Sequence, residues 1–214
     1  MKFQHLPHLL SRRPSTCNPN RLLAAAPALL LILAAMHFEG QTARAAANGP
    51  PTVTMTNYHS WSNVVSVNNG LVEVLVNPTI GRAQQFRFVG NTNGAFWENS
   101  DFYGTVPNNS FRYNNYGGDK AWPSPQSAWG WPPPKGFDGR TNALIVSNST
   151  VMLVTPEDSR YKIQATRIIE LLPNEPVMRI TTIFERTAPT TLTNNELGVW
   201  VDCEAAASSE SRFY

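Results

Sequence analysis

Over most of the chain beyond residue 48, apolar and polar positions alternate with a period of two far more often than 3.6. Turn-forming residues recur at short intervals, which is the pattern of antiparallel β-structure. No segment reads as a helix. Runs at 64–67 and 71–76 flank Asn68, Asn69 and Gly70, residue types that tolerate the positive φ of a tight hairpin. Further strands are expected at 82–88, 143–147, 151–155 and 162–172. In the last of these, Ile163, Ala165, Ile169 and Leu171 alternate with Gln164, Thr166 and Glu170. Pro173, Asn174, Glu175 and Pro176 then turn the chain, because proline cannot sit in a central strand. Met178, Ile180 and Phe184 mark the inward face of the next strand, and 196–204 reads as a final one.

Between residues 90 and 140 the alternation lapses into asparagine, glycine, proline and aromatic residues, over a length unusual for an ordinary connection. Trp97, Phe102, Tyr103, Phe111, Tyr113, Tyr116, Trp122, Trp129 and Trp131 are too many large apolar groups to leave in water. An ordered excursion packed over a sheet is expected there.

The first 47 residues differ again. Arg12, Arg13 and Arg21 precede an apolar stretch at 22–38, and small residues follow at Ala43, Ala45, Ala46 and Ala47. That is the order of a secretory signal, with cleavage expected near Ala45 or Ala47 and a domain from 48 to 214 exported to the periplasm or beyond. The stretch is at the short edge of what spans a bilayer, so contact with a membrane is expected only through an uncleaved leader. Beyond it the chain carries twelve basic and fourteen acidic residues, a net charge of −2, with no lysine or arginine run. Nucleic acid is therefore not an expected partner.

Cys17, His5, His8 and His37 also fall in the leader, leaving only Cys203 and His59. No internal disulfide and no histidine-built metal site can form, and no cofactor is expected. Cys203 lies between Asp202 and Glu204, whose charges disfavour a thiolate, and reads as a buried small hydrophobe. His59, beside Tyr58 and Trp61, reads as a structural residue. Sequons occur at Asn108 and Asn148.

The densest patch of chemistry runs Tyr116-Gly117-Gly118-Asp119-Lys120-Ala121-Trp122-Pro123-Ser124-Pro125-Gln126, then Trp129-Gly130-Trp131 and Lys135-Gly136-Phe137-Asp138-Gly139-Arg140. Trp122, Trp129 and Trp131 offer flat apolar faces for the C–H face of a pyranose. Arg82, Asp119, Lys120, Gln126, Asp138 and Arg140 are candidates to bond its hydroxyls. Gly117 and Gly118 allow positive φ or a close backbone approach. The alternative is that the tryptophans plug the end of a sandwich and the charges pair with one another.

With Asn69-Gly70-Leu71-Val72-Glu73-Val74, Pro78 and Ile80-Gly81-Arg82, this string resembles the galactose mutarotase-like β-supersandwich superfamily. It is most similar there to an uncharacterised bacterial group with a Gly-Gly-x-Lys-x-Trp-Pro-x-Pro-Gln signature. The resemblance covers about residues 64–203. It implies an all-β antiparallel supersandwich whose concave face, in sugar-processing relatives, holds a carbohydrate.

Sugar 1-epimerases of that superfamily use a glutamate base and a histidine acid, and both are needed. Where such relatives place the histidine, this chain has Glu196-Leu197-Gly198-Val199-Trp200. Where phosphosugar epimerases carry His-Gly-Phe-Ala-Arg, it has Lys135-Gly136-Phe137-Asp138-Gly139-Arg140. The glutamate base lies near the C-terminus of those proteins. Without its leader the chain leaves 167 residues, whereas large one-domain all-β folds commonly occupy about 200 to 250; a C-terminal truncation that leaves an unpaired sheet edge is expected. Asp119 and Lys120 are the candidate catalytic groups, the lysine through desolvation among tryptophans. Asp202 and Glu204 share one strand face, roughly 7 Å apart by strand rise, and read as a polar face or as an acid–base pair.

Three readings stay open on the sequence: an exported carbohydrate-binding domain with its ligand in a tryptophan-lined cleft, an atypical sugar epimerase or related sugar-active enzyme, and a structural cell-envelope protein that binds a protein partner.

Overall fold

The computed structural model describes residues 49–107, 113–134, 136–189 and 197–208. The expected leader and the Asn108 sequon lie outside the described residues. Among the described residues ten strands form two antiparallel sheets. The first sheet is built from β1 (Thr52–Tyr58), β2 (Trp61–Asn68), β3 (Val72–Asn77), β4 (Arg82–Phe88), β5 (Asp119–Ser124) and β10 (Gly198–Cys203), adjacent in that order. The second is built from β6 (Asn142–Ser147), β7 (Thr150–Val154), β8 (Ile163–Leu171) and β9 (Met178–Arg186). Two short 3-10 turns are the only helical elements among the described residues. The all-β sandwich expected from the alternation is what the chain adopts.

The sheets meet through a main apolar core. Val65 and Val67 of β2 and Val72, Val74 and Val76 of β3 pack with Val151, Leu153, Ile169 and Leu171 of β7 and β8. Side chains along β8 alternate strictly between buried and half-buried, as its sequence dictates. The β2–β3 hairpin turns on Gly70, at φ +86°, while the Asn69 Oδ1 accepts from the amides of Leu71 and Val72 at 3.0 and 2.9 Å. The Asn69 Nδ2 donates to the carbonyls of Leu172 and Glu175 at 2.7 Å, tying this hairpin to the proline turn between β8 and β9.

Two strands were not expected. β1 pairs with β2 across a two-residue turn, His59–Ser60, both with positive φ. β5 arises inside the excursion that sequence alternation leaves irregular. Its Pro123 is tolerated because β5 pairs with β4 only at Ala83↔Asp119, so by Pro123 that side of the strand needs no ladder donor. On its other side β5 pairs with β10 along its full length.

At the β9 and β10 edges the sandwich is open. Val199 and Val201 share a face with Asp119 through the register Pro123↔Val199, Ala121↔Val201 and Asp119↔Cys203. That face looks toward the second sheet, yet the two valines are 47% and 53% exposed. Cys203 is likewise exposed, which corrects the expectation of a buried cysteine. An edge strand with no described neighbour beyond it leaves its inward side chains uncovered. Partial burial and the charges of Asp119 and Asp202 still push its thiol pKa up, so it remains a poor nucleophile.

Candidate functional site

Alternation along β5 sends its two candidate catalytic residues to opposite faces. Asp119 points between the sheets, where its carboxylate pairs with the Arg167 guanidinium of β8, and Arg167 Nη1 also donates to the Asp119 carbonyl at 2.9 Å. Both side chains are buried. Lys120 lies on the other face, its ammonium bonded to Glu204 Oε1, 3.2 Å from Asp202 Oδ2 and 3.2 Å from Asn115 Oδ1.

Burial opposes the charge on Lys120, but the hydrogen bonds to Glu204 and Tyr113 outweigh it, and its pKa moves up from the ordinary lysine value. Of the two sequence readings, a low-titrating base or charges that pair with one another, the geometry favours pairing: desolvation among tryptophans is real, but the Glu204 carboxylate and Tyr113 hold the proton on. Asp202 and Glu204 do share a face, and both serve Lys120.

Arg82 and Asp138 form a further buried pair. The guanidinium also donates to the carbonyls of Gly117 at 2.8 Å and Ile80 at 3.2 Å, and lies over the Tyr116 ring. Burial pushes the Asp138 pKa up, partly offset by the charges of Arg82 and Lys120. Gly117 and Gly118, at φ +78° and +76°, admit close backbone neighbours: a Cβ on them would sit 2.1 Å from the Trp97 carbonyl and 2.6 Å from the Ala83 carbonyl. Their conformation serves packing of the chain upon itself.

The aromatic residues divide in the same way. Trp122 and Trp129 are buried. Trp129 packs with Phe137, Tyr161 and Ile163, and its Nε1 donates to the Pro123 carbonyl at 2.7 Å. Trp122 is ringed edge-on by Trp200 at 5.6 Å, Tyr113 at 5.7 Å, Trp129 at 5.9 Å and Trp131 at 6.1 Å. Trp131 and Trp200, however, reach solvent, 60% and 40% exposed. Beside them lie the half-buried Asp202 and Glu204 and the amide of Asn115, whose Nδ2 donates to Glu204 Oε2 at 3.0 Å. Trp122 Nε1 is buried with no partner among the described residues.

The eleven residues expected to bind a ligand are therefore not gathered into one site. Arg82, Asp119, Asp138, Trp122 and Trp129 are structural in their surroundings, as are the two glycines. Lys120 and Trp131 border an aromatic platform. Gln126 is half-buried, bonded within its own turn to the Gly130 carbonyl at 3.4 Å. Arg140 is exposed and lines a separate cleft. Sequence reasoning missed Trp200, Tyr113 and Asn115 as platform neighbours. Trp200, Asp202 and Glu204 are spaced by two in a predicted strand, and that spacing was the available signal.

His59, half-exposed, stacks on Tyr103 with ring centroids 3.8 Å apart and lies 3.7 Å from Glu98. Among the described residues no group of His, Cys, Asp and Glu could hold a metal ion, and no helix is long and apolar enough to cross a membrane. Compared with protein-family models, curated proteins and solved structures, the chain finds no match in any of the three.

Proposed function

We propose that the chain is an exported carbohydrate-binding domain of mutarotase-like architecture, in which a small saccharide rests on the Trp131–Trp200 platform over Trp122. The observation that carries this reading is two solvent-reaching indoles set edge-on to one buried indole, flanked by Asp202 and Glu204. Flat apolar faces beside a few oriented acceptors suit a ring that is apolar above and hydroxylated at its rim. Export rests on the sequence of the leader. An epimerase needs an acid and a base at the sugar, and the raised proton affinity of Lys120 disfavours that residue as the base.

Titration calorimetry and tryptophan fluorescence against monosaccharides, uronates and oligosaccharides test the proposal. Saturable binding that is lost in Trp131→Ala supports it; absence of heat and of spectral change with every sugar would sink it.

A second reading, a structural domain that recognises a protein partner, is favoured by a different surface. On the outer face of the four-stranded sheet, Leu144, Val146 and Ile183 are 51%, 59% and 48% exposed, with Met152 and Ile168 half-buried between them. Contiguous exposed apolar rows of this kind mark interaction surfaces. Binding of a hydrophobic dye that falls in a Leu144→Lys, Val146→Lys variant would support it.

A further inference from the structure

We propose that a second ligand site, for a small hydroxylated oxyanion, lies where the β1–β2 hairpin meets the chain at residues 78–79 and 140–142. The cleft there has a volume of about 380 Å³, toward the small end of ligand pockets, roughly 300 to 1,000 Å³.

Of the eleven described residues lining it, Arg140 alone has an ionisable side chain. It is exposed, and no described residue pairs with its guanidinium. The two arginines that precede the aromatic excursion are by contrast engaged: Arg82 with Asp138, and Arg87 with Glu73 at 2.8 Å. Hydroxyls of Ser60, Ser62 and Thr79 and carboxamides of Asn63 and Asn142 share the lining, and no carboxylate of the described residues does. A guanidinium presents parallel donors that match a carboxylate or phosphate, while hydroxyls and amides both donate and accept toward a polyol.

The cleft is built before any ligand arrives. Thr141 donates through its amide and its hydroxyl to the Pro78 carbonyl, at 2.8 and 3.2 Å, which fixes the backbone beside Arg140. Trp61, 3% exposed, forms a rigid wall with its Nε1 donating to the Thr105 carbonyl at 2.6 Å. Ser60 and Asn63 hold left-handed backbone, φ +67° and +62°, at the hairpin turn and at the β1–β2 register shift. None of the platform residues lines this cleft. The site shares only its polyol chemistry with the saccharide reading and can stand if that reading fails.

The test uses the full chain, isotope-labelled, titrated separately with D-glucuronate, D-glucose 6-phosphate and neutral D-glucose while amide resonances are followed. At least one of the two anions is expected to shift residues 60–63, 79 and 140–142 saturably, and glucose to bind about tenfold or more weakly. Glucuronate alone marks a carboxylate ligand, and glucose 6-phosphate alone a phosphate. Arg140→Gln should lose about tenfold in affinity and Arg140→Glu all saturable binding. Both variants should keep the native spectrum elsewhere, since the side chain is exposed. Trp131→Ala should leave these shifts intact. The proposal is overturned if neither anion saturates, if glucose binds as well as they do, or if Arg140→Gln keeps the wild-type affinity.

Discussion

Breaking the Asp119–Arg167 pair tests directly whether Asp119 belongs to the core or to a ligand. Arg167→Met strips a buried carboxylate of its cation, a change that typically costs about 3 to 5 kcal/mol. Asp119→Asn leaves the buried Arg167 guanidinium, which cannot shed its charge, without its anion and should also cost about 3 kcal/mol, softened by the hydrogen bonds it retains. Arg167 would keep the Asp119 carbonyl at 2.9 Å and the Thr182 hydroxyl at 3.4 Å, and the new carboxamide can still accept from it. The double variant Asp119→Leu, Arg167→Met exchanges the pair for apolar groups and should return to within about 1 kcal/mol of the wild type, because the desolvation penalty disappears with the charges. Urea unfolding followed by tryptophan fluorescence measures all of this. With a slope of about 1 to 3 kcal/mol per molar, the Arg167→Met midpoint should fall by more than about 1 M. If both single variants lose less than about 1 kcal/mol and their effects simply add, the pair is not holding the sheets together, and Asp119 becomes available for a ligand after all.

Three further outcomes follow from the geometry. Trp131→Ala and Trp200→Ala should each weaken saccharide binding severalfold, and Trp131→Ala should change stability by no more than about 0.5 kcal/mol because its ring is largely solvated; a large loss of stability without loss of binding would contradict the platform. Gly117→Ala meets the Trp97 carbonyl in a left-handed conformation and should cost at least about 2 kcal/mol, read as a lowered melting temperature, whereas an unchanged melting temperature would show that the loop has room to relax. Burial raises the pKa of Tyr58, Tyr103 and Tyr113, and Glu204 helps to raise that of Lys120. All four folded values lie above the unfolded ones, so their stabilisation is complete below about pH 10 and is lost as pH climbs through the folded values. The melting temperature should fall above that pH, and phenolate absorbance at alkaline pH should lag that of the urea-unfolded chain; coincident titration curves would refute the assignment.

Local chemistry made part of the fold legible. Asn68-Asn69-Gly70 announces its hairpin because the turn needs one positive φ and a side-chain acceptor, both supplied within the tripeptide. β8 announces itself because one of its faces is buried along its whole length. β5 was hidden because its neighbours are distant in sequence and its own residues include two charges and a proline. The surroundings of the candidate site residues were hidden for the same reason. Asp119 meets its cation 48 residues away, Arg82 its anion 56 residues away and Lys120 its carboxylate 84 residues away. A charge with no partner in its own neighbourhood looks like a ligand contact until the topology supplies one. The tryptophans show the converse: composition locates an aromatic cluster, but only the packing around each ring separates buried indoles from those that reach solvent.

The three ion pairs converge on β5 and its flanks, and on the β4 side of that strand the backbone ladder is thin. A single bridge, Ala83↔Asp119, links β5 to β4, so hydrogen bonding on that side cannot set the strand's position. Cys203 has no described partner for a disulfide to do it instead. A buried charge tolerates no misplacement, since a slip of one residue would exchange the faces of Asp119 and Lys120 and leave each without its counter-ion. The pairs therefore act as register pins, Arg167 holding β5 to the second sheet and Glu204 with Asp202 holding it to β10. Lys120→Met should then loosen one seam selectively. Amide exchange at residues 199–203 should accelerate by about tenfold or more while β7 and β8 keep their protection. Uniform acceleration across both sheets would mean that Lys120 contributes only to global stability and that the register of β5 is fixed by something else.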